Sequence, residues 1–443
     1  MDRLTALLLT LIASGCLPVA YSVCIAAMGM ACVLENLNML TDGLQTLRQI
    51  QPTVFYSIQV RMLRLPNNPS GAFLIRAAEF VDKLEIMVFR EPEFHILAGT
   101  NLSALSVFEA KFLKRLLIGD GDIALKELSV YSCLLDRIPG TIGNLPLLTD
   151  LSFYRCAMRN VSLNAFRKNQ RLKSLDLSYN EIDTIVPINA ADGNVTLAIE
   201  YLYLASNRLQ NLDMTAFEGL PNLSMLDLQY NNLVKIAADR TITWANMEMF
   251  DVSNNQLSTL DFQWLSAPKL KRLIMNNNLL ELLPQRLRRF PNLQLIAVSY
   301  NKFVGIDLAP LNGLPMLNSL DVSSNPTCRY IRSSRPVRLP MLDTLYAEFC
   351  ALNRFNTTGI DLPVVSFISL AHNNFSTIPT LGQTFPSIVS FSLFNNPLPC
   401  ALLNARAELI LSGKLILGPP QDASDCPTGS TTIAPSFRLC CKA

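Results

Sequence analysis

Twelve times along this chain of 443 residues an apolar residue is followed at +3 and +5 by two more, and at +8 by Asn or Cys. The clearest copies run from Leu172 through Leu175, Leu177 and Asn180, and from Leu223 through Leu226, Leu228 and Asn231. The first positions are Leu125, Leu148, Leu172, Ile199, Leu223, Met247, Leu270, Leu293, Leu317, Leu342, Val365 and Ile388, spaced 23 to 27 residues apart. A fixed period in that range cannot build a globule with one central core. It dictates a stack of like coils, each of which buries its apolar face only against its neighbours.

This spacing is that of the leucine-rich repeat. The expected fold class is an α/β solenoid: a horseshoe with a parallel β-sheet on its concave face and an irregular, short-helical convex side. In each coil the Leu175/Leu177 type of pair points inward and stacks on the same pair one coil away. A buried aliphatic side chain contributes roughly 1.5–3 kcal/mol, so many coils together offset the chain entropy. The Asn at +8 sits where the chain leaves the strand, and its amide can satisfy backbone groups that the turn would leave unpaired. Asn180, Asn207, Asn231, Asn255, Asn278, Asn301, Asn325, Asn373 and Asn396 are therefore expected to form a ladder, with Cys133, Cys156 and Cys350 taking the same place. Return segments such as Ala216-Phe217-Glu218-Gly219-Leu220-Pro221-Asn222-Leu223 carry a second pattern, in which Phe217, like Phe166, plugs the coil from behind.

Before Leu125 the pattern frays. Phe55/Ile58/Val60, Val81/Leu84/Ile86 and Leu102/Leu105/Val107 fit the apolar frame without Asn. Leu113/Leu116/Ile118 offers a rival frame, but it begins only 12 residues before Leu125, too close for a full coil. The expected organisation is a signal peptide over 1–22, an N-terminal cap over 23–54, repeats over 55–399 (two or three degenerate coils before the twelve clear ones), a C-terminal cap over 400–426, and a mobile tail over 427–443. The Leu172-to-Ile199 coil, 27 residues long, is expected to bulge at Asn189–Gly193.

A charged start, Met1-Asp2-Arg3, precedes an apolar run from Leu4 to Ala20, with small residues at Ala20 and Ser22 that allow cleavage before Val23. The apolar character continues to Leu34, so a retained anchor is the alternative; Ala13-Ser14-Gly15-Cys16 faintly resembles a lipoprotein cleavage site. Acceptor sequons stand at Asn101, Asn160, Asn194, Asn222, Asn356 and Asn374, in keeping with a secreted, extracellular glycoprotein. Ten of the 11 Cys follow the leader, an even number. A disulfide in each cap is expected, Cys24 to Cys32 and Cys400 to Cys426, because terminal coils have little core of their own. Cys328 and Cys350, in adjacent coils, are expected to bridge. Cys133 and Cys156, in equivalent positions of adjacent strands roughly 4.8 Å apart, could bridge or remain as thiols. Cys440-Cys441, in a tail rich in Thr, Ser, Pro and Gly, is expected to link two chains covalently, with a local bond to the cap as the alternative.

Little here could do chemistry, so no enzymatic activity is expected. The two His, His95 and His372, stand far apart without a Cys or carboxylate at metal-ligand spacing, and no phosphate-cradling Gly loop is present; no metal or cofactor is expected. With 37 basic and 35 acidic residues the chain lacks the charge of a nucleic-acid binder. The most basic local segment holds Arg329, Arg332, Arg335 and Arg338; it reads as a solvated loop or as a site for an anion or acidic partner. Binding then falls to exposed positions of the concave strands. Counting along each strand gives Tyr131, Tyr154, Tyr201, Tyr203, Gln229, Arg272, Tyr346, Glu348, Phe367 and Phe394 as candidate partner contacts, in part because Tyr and Arg anchor protein interfaces. Asp176, Asp227, Asp251 and Asp321 follow a structural habit of the strand and are set aside.

The order of elements, with Cys24/Cys32 before the repeats, Cys400/Cys426 after them and the terminal pair Cys440-Cys441, resembles the leucine-rich-repeat immune (LRIM-type) proteins of mosquitoes. No heptad segment follows the Cys pair, so the resemblance is to a coil-less or truncated form. It implies secretion into haemolymph, disulfide-linked dimers, and a partner that is a complement-like thioester protein or another leucine-rich-repeat chain, in innate immune recognition. A cell-adhesion or receptor-type ectodomain is the alternative; a secreted inhibitor of a foreign enzyme is a third.

Overall fold

The computed structural model describes residues 26–442 except 29–30, 40, 42, 51–56, 66–69, 189–194, 420–425, 427 and 436. The leader over 1–22, Cys24, Phe55, the 189–193 bulge and Asn194 lie outside the described residues. The chain forms two compact units, Met1–Arg208 and Leu209–Ala443.

In the first unit the apolar pairs define parallel strands in register. Ala31–Asn38, Ser57–Arg64, Lys83–Ile86, Ala104–Val107, Glu127–Tyr131, Asp150–Tyr154, Ser174–Asp176 and Tyr201–Tyr203 pair in that order. Ala26–Met28 folds back antiparallel on Ala31–Val33 and covers the end of the stack. The frames without Asn are full strands: Ile58, Val60, Leu84, Ile86, Leu105 and Val107 are all buried. The rival frame is a return strand. Arg115–Ile118 pairs with Glu93–Ile96 in a separate two-stranded sheet behind the main one. These early strands run four to eight residues, against three for most later ones.

In the second unit Met225–Asp227, Met249–Asp251, Arg272–Ile274, Leu295–Ala297, Ser319–Asp321, Thr344–Tyr346, Phe367–Ser369, Ser390–Ser392 and Leu415–Ile416 continue the same parallel pattern. Return segments carry short parallel pairs or single 3-10 turns. Phe166 and Phe217 end such turns, Leu163–Phe166 and Met214–Phe217, and are fully buried.

The Asn ladder is formed coil by coil. Asn278 Oδ1 accepts from the Leu257 amide at 3.0 Å, while its Nδ2 donates to Val252, Met275 and Asn276 carbonyls. Asn180, Asn207, Asn255, Asn301 and Asn373 repeat this arrangement, each accepting from the residue at +10 of the preceding coil. The Asx geometry of Asp176, Asp227, Asp251 and Asp321 is structural too: each Oδ1 accepts from the amide two residues on. From Leu102 onward the residue at +7 of every coil has φ between +42° and +58°. The chain leaves each strand through this left-handed residue, just before the ladder position.

The cysteines depart from expectation. Cys400 bonds Cys441, and Cys426 bonds Cys440. The expected Cys400–Cys426 bond and the interchain role of Cys440 and Cys441 are therefore both overturned. The reason is local. Ser430–Ala434 and Phe437–Cys440 pair as an antiparallel hairpin, and Lys442 exchanges backbone bonds with Leu398 and Cys400. The tail expected to be mobile is thus clamped to the short helix Cys400–Asn404, with Leu439 and Cys441 buried. Cys133 and Cys156 are joined, with their Cα atoms 4.4 Å apart. Cys32 is disulfide-bonded. Cys328 and Cys350 are not: both are buried thiols. Cys350 occupies the ladder position and its Sγ donates to the Val322 and Glu348 carbonyls, the work an Asn amide does in other coils, while Cys328 Sγ turns to the Tyr330 carbonyl. Contact with Cys350 and burial both push the Cys328 thiol up.

Candidate protein-interaction surface

The open face of the first unit's sheet carries a row of rings. Tyr131 and Tyr154 stand at +6 in adjacent coils, the last residues of their strands. Their centroids are 5.9 Å apart. Phe108, at +6 one coil earlier, stacks on Tyr131 at 4.6 Å and 4°. Tyr179, at the left-handed +7 position of the next coil, lies 4.9 Å from Tyr154. Tyr154 and Tyr131 are half-buried by this packing, while Tyr179 stands 49% exposed. Desolvation and the neighbouring Tyr179 raise the Tyr154 phenol above its ordinary value. Four rings in line give a rigid amphipathic surface with little rotamer entropy left to lose, a property of interface anchors. Tyr201, 40% exposed, and Tyr203 lie in the same sheet, in register with Ser174 and Asp176.

The second unit holds a separate cluster. Phe349 and His372, both at left-handed positions, stack at 4.0 Å and 12°. Phe394 meets His372 edge-on at 5.1 Å, and Asn395 Nδ2 lies 3.0 Å from His372 Nδ1. Tyr346 and Phe367 touch edge-on at 5.9 Å. Glu348 accepts from Ser369 Oγ and Gln229 Nε2 donates to Asp227, so both polar candidates are tied within the sheet. Arg272 is exposed on its strand.

The structure thus brings Tyr131 to Tyr154 in the first unit and Tyr346 to Phe367 in the second, where Phe394 instead joins His372 and Phe349, and Glu348 bonds Ser369. Phe108, Tyr179, Phe349 and His372 were missed. Phe108 has the same offset from Leu102 as Tyr131 has from Leu125, so the frame already pointed to it. The other three needed the knowledge that +7 turns its side chain outward through a positive φ. Asn101, Asn160, Asn222, Asn356 and Asn374 all have exposed side chains. Among the described residues no group of His, Cys, Asp and Glu is placed to hold a metal ion, and no helix is long and apolar enough to cross a membrane.

Two family models for the leucine-rich repeat match, over residues 198–257 and 171–190. The chain has the fold of the leucine-rich repeat. Its fold is similar to the leucine-rich-repeat domain of APL1B (21% identity, TM-score 0.54, covering 72% of this chain and 87% of that one). It is also similar to the APL1 leucine-rich-repeat domain (16%, TM-score 0.54, covering 93% and 98%) and to a chain of the LRIM1/APL1C complex (18%, TM-score 0.53, covering 93% and 69%). In sequence it is 31% identical over 214 residues to an adenylate cyclase of Schizosaccharomyces pombe and 26% identical over 226 residues to lumican of Rattus norvegicus. These matches cover 48% and 50% of this chain, but only 12% of the cyclase and 62% of lumican.

Proposed function

We propose that this chain is a secreted, non-enzymatic protein-binding module, and that the row Phe108–Tyr131–Tyr154–Tyr179 is the centre of its contact with a protein partner. The single observation behind this reading is the stacking itself. Four aromatic side chains from four successive coils pack in sequence on the open face of a sheet, where polar residues would serve solubility better. Interface anchors of this kind are aromatic, and the stiff strands beneath them hold their geometry before binding.

The partner class we favour is another leucine-rich-repeat chain or a complement-like thioester protein, in innate immune recognition. Likeness in fold to a chain of the LRIM1/APL1C complex supports this reading. Association would be non-covalent, since Cys440 and Cys441 are consumed within the C-terminal cap. Glycans at Asn101, Asn160, Asn222, Asn356 and Asn374, and at Asn194, belong to the same reading, as does removal of residues 1–22.

The test is a paired capture from extracellular fluid. Wild-type chain and a Phe108→Ser/Tyr131→Ser/Tyr154→Ser/Tyr179→Ser variant are used as baits and the retained proteins identified by mass spectrometry. The reading expects partners present with the first bait and absent with the second, at matched thermal stability. Identical retention by both baits would reject it.

A further inference from the structure

From Leu282 to Leu342 the chain carries eight Arg and Lys against two Asp, in a sequence whose total balance is only +2. No carboxylate falls between Asp321 and Asp343. The return strands of the second unit gather this charge. Ile306–Asp307, Tyr330–Arg332 and Arg354–Phe355 form a parallel sheet, with Tyr330 in register with Arg354 and Asp307 with Arg332. Ile331 and Phe355 face inward and are buried, which places Tyr330, Arg332 and Arg354 together on the outer face. The Tyr330 ring lies so close to Gly305 that a Cβ there would meet it at 2.3 Å, and the Arg332 guanidinium sits 5.2 Å over that ring. Arg332 is thereby held in place.

Two shallow grooves flank this sheet. One of about 330 Å³ is lined by Tyr330, Arg332, Asn353, Arg354 and Asn356. The other, of about 400 Å³, is lined by Arg286, Arg288, Asp307, Asn312, Ser334 and Arg335 among others. Arg338 is spent on Asp361 and Arg286 on Asp261. Asp307 accepts from the Ser334 and Ala309 amides, and those bonds help hold its carboxyl below the usual range despite partial burial. Arg288, Arg329, Arg335 and Arg354 make no ion pair with a described carboxylate, and all are exposed.

We propose that this face binds a sulfated polysaccharide. Guanidinium forks match sulfate and sugar carboxylate bidentately. Arg332 and Arg354 stand diagonally on adjacent strands roughly 4.8 Å apart, with Arg329 beside the first strand and Arg335 beyond it, so cationic groups are spread across the face as a polyanion requires. The groove floors offer amides and hydroxyls (Asn312, Ser334, Asn353) for sugar hydroxyls. A single-stranded nucleic acid would want open stacking platforms, and here Tyr330 is already committed to Gly305 and Arg332. The site stands apart from the aromatic row and does not depend on it.

The experiment is retention of the full glycosylated chain on immobilised heparin. Glycosylated protein is required because Asn356 itself lines the first groove, so a glycan there would share that groove with the polysaccharide. The expected result is retention at about 0.15 M salt, loss of retention for Arg329→Glu/Arg332→Glu/Arg354→Glu, and partial loss for the neutral Arg329→Ala/Arg332→Ala/Arg354→Ala. The equal-charge control Lys114→Glu/Arg137→Glu/Arg171→Glu should elute with wild type. Free heparin should release the chain, whereas desulfated heparin should not. No retention of the wild type would overturn the proposal. So would equal shifts for patch and control variants, or release by polyglutamate or DNA at lower concentrations than heparin.

Discussion

The two units solve one problem in two ways. A strand that ends in a sharp turn leaves backbone amides and carbonyls inside the stack, and each must find a partner. In the second unit the strands of the main sheet are three residues or shorter and, from Asn231 to Asn396, the turn is closed by the Asn ladder, with Cys350 donating in its place in one coil. In the first unit the early strands are long, so ladder pairing between strands carries more of the load, and Asn is absent until Asn180. Between these regimes Cys133 and Cys156 fill the ladder position with a covalent bond. Strand length, amide and disulfide are thus alternatives at one structural position, and a repeat can lose its Asn wherever another is present.

The largest effect expected from this comparison is at the end of the second unit. Cys400→Ala/Cys441→Ala opens a loop of 41 residues and should cost about 4 kcal/mol by the chain-entropy estimate, read as a lowered denaturant midpoint. Cys133→Ala/Cys156→Ala, in the first unit, spans 23 residues and should cost about 3 kcal/mol; no loss there would show that the long strands alone suffice. Asn278→Leu strands the Leu257 amide and three carbonyls, and should cost about 1–3 kcal/mol. A smaller and pH-dependent effect belongs to Asp251. Burial raises its carboxyl above the ordinary value of 3.8, against the bonds from Ser253 and with Asp227 adding repulsion. The folded state therefore disfavours the charged form. Stability from this group is greatest below the unfolded value and declines as pH rises through the raised folded value. Asp251→Asn keeps the Oδ1 acceptor, so it should raise Tm at pH 7 and leave it unchanged near pH 3. An equal Tm at both pH values would contradict the assignment. The exposed Arg240–Glu218 pair, at 2.6 Å, should matter least: Arg240→Ala is expected to leave the denaturant midpoint nearly unchanged, because solvent screens the pair.

The comparison also explains which parts of the molecule were legible in the sequence. Leu102, Leu125 and the later frame positions announce themselves because a stacked interior accepts little but aliphatic residues. The Asn positions are legible because few other side chains can accept and donate at once. The cysteine pairing of the C-terminal cap was not. Cys400, Cys426, Cys440 and Cys441 admit several connectivities, and the hairpin that selects one opens on Ser430, Thr431 and Thr432, whose local pattern resembles a loose tail. The aromatic row was half legible. Tyr131 and Tyr154 follow from strand arithmetic, but Tyr179 joins them only through the left-handed turn at +7. Such a backbone position carries no residue signature, being filled by Ser132, Arg155, Tyr179 and Asn254 alike.

The most direct measurement is oxidative footprinting of the chain, alone and in complex with a partner captured from extracellular fluid. The account predicts protection of Tyr131, Tyr154 and Tyr179 on binding, with the return-side rings unchanged. Protection confined to other surfaces, with these three tyrosines as reactive in the complex as in the free chain, would contradict it.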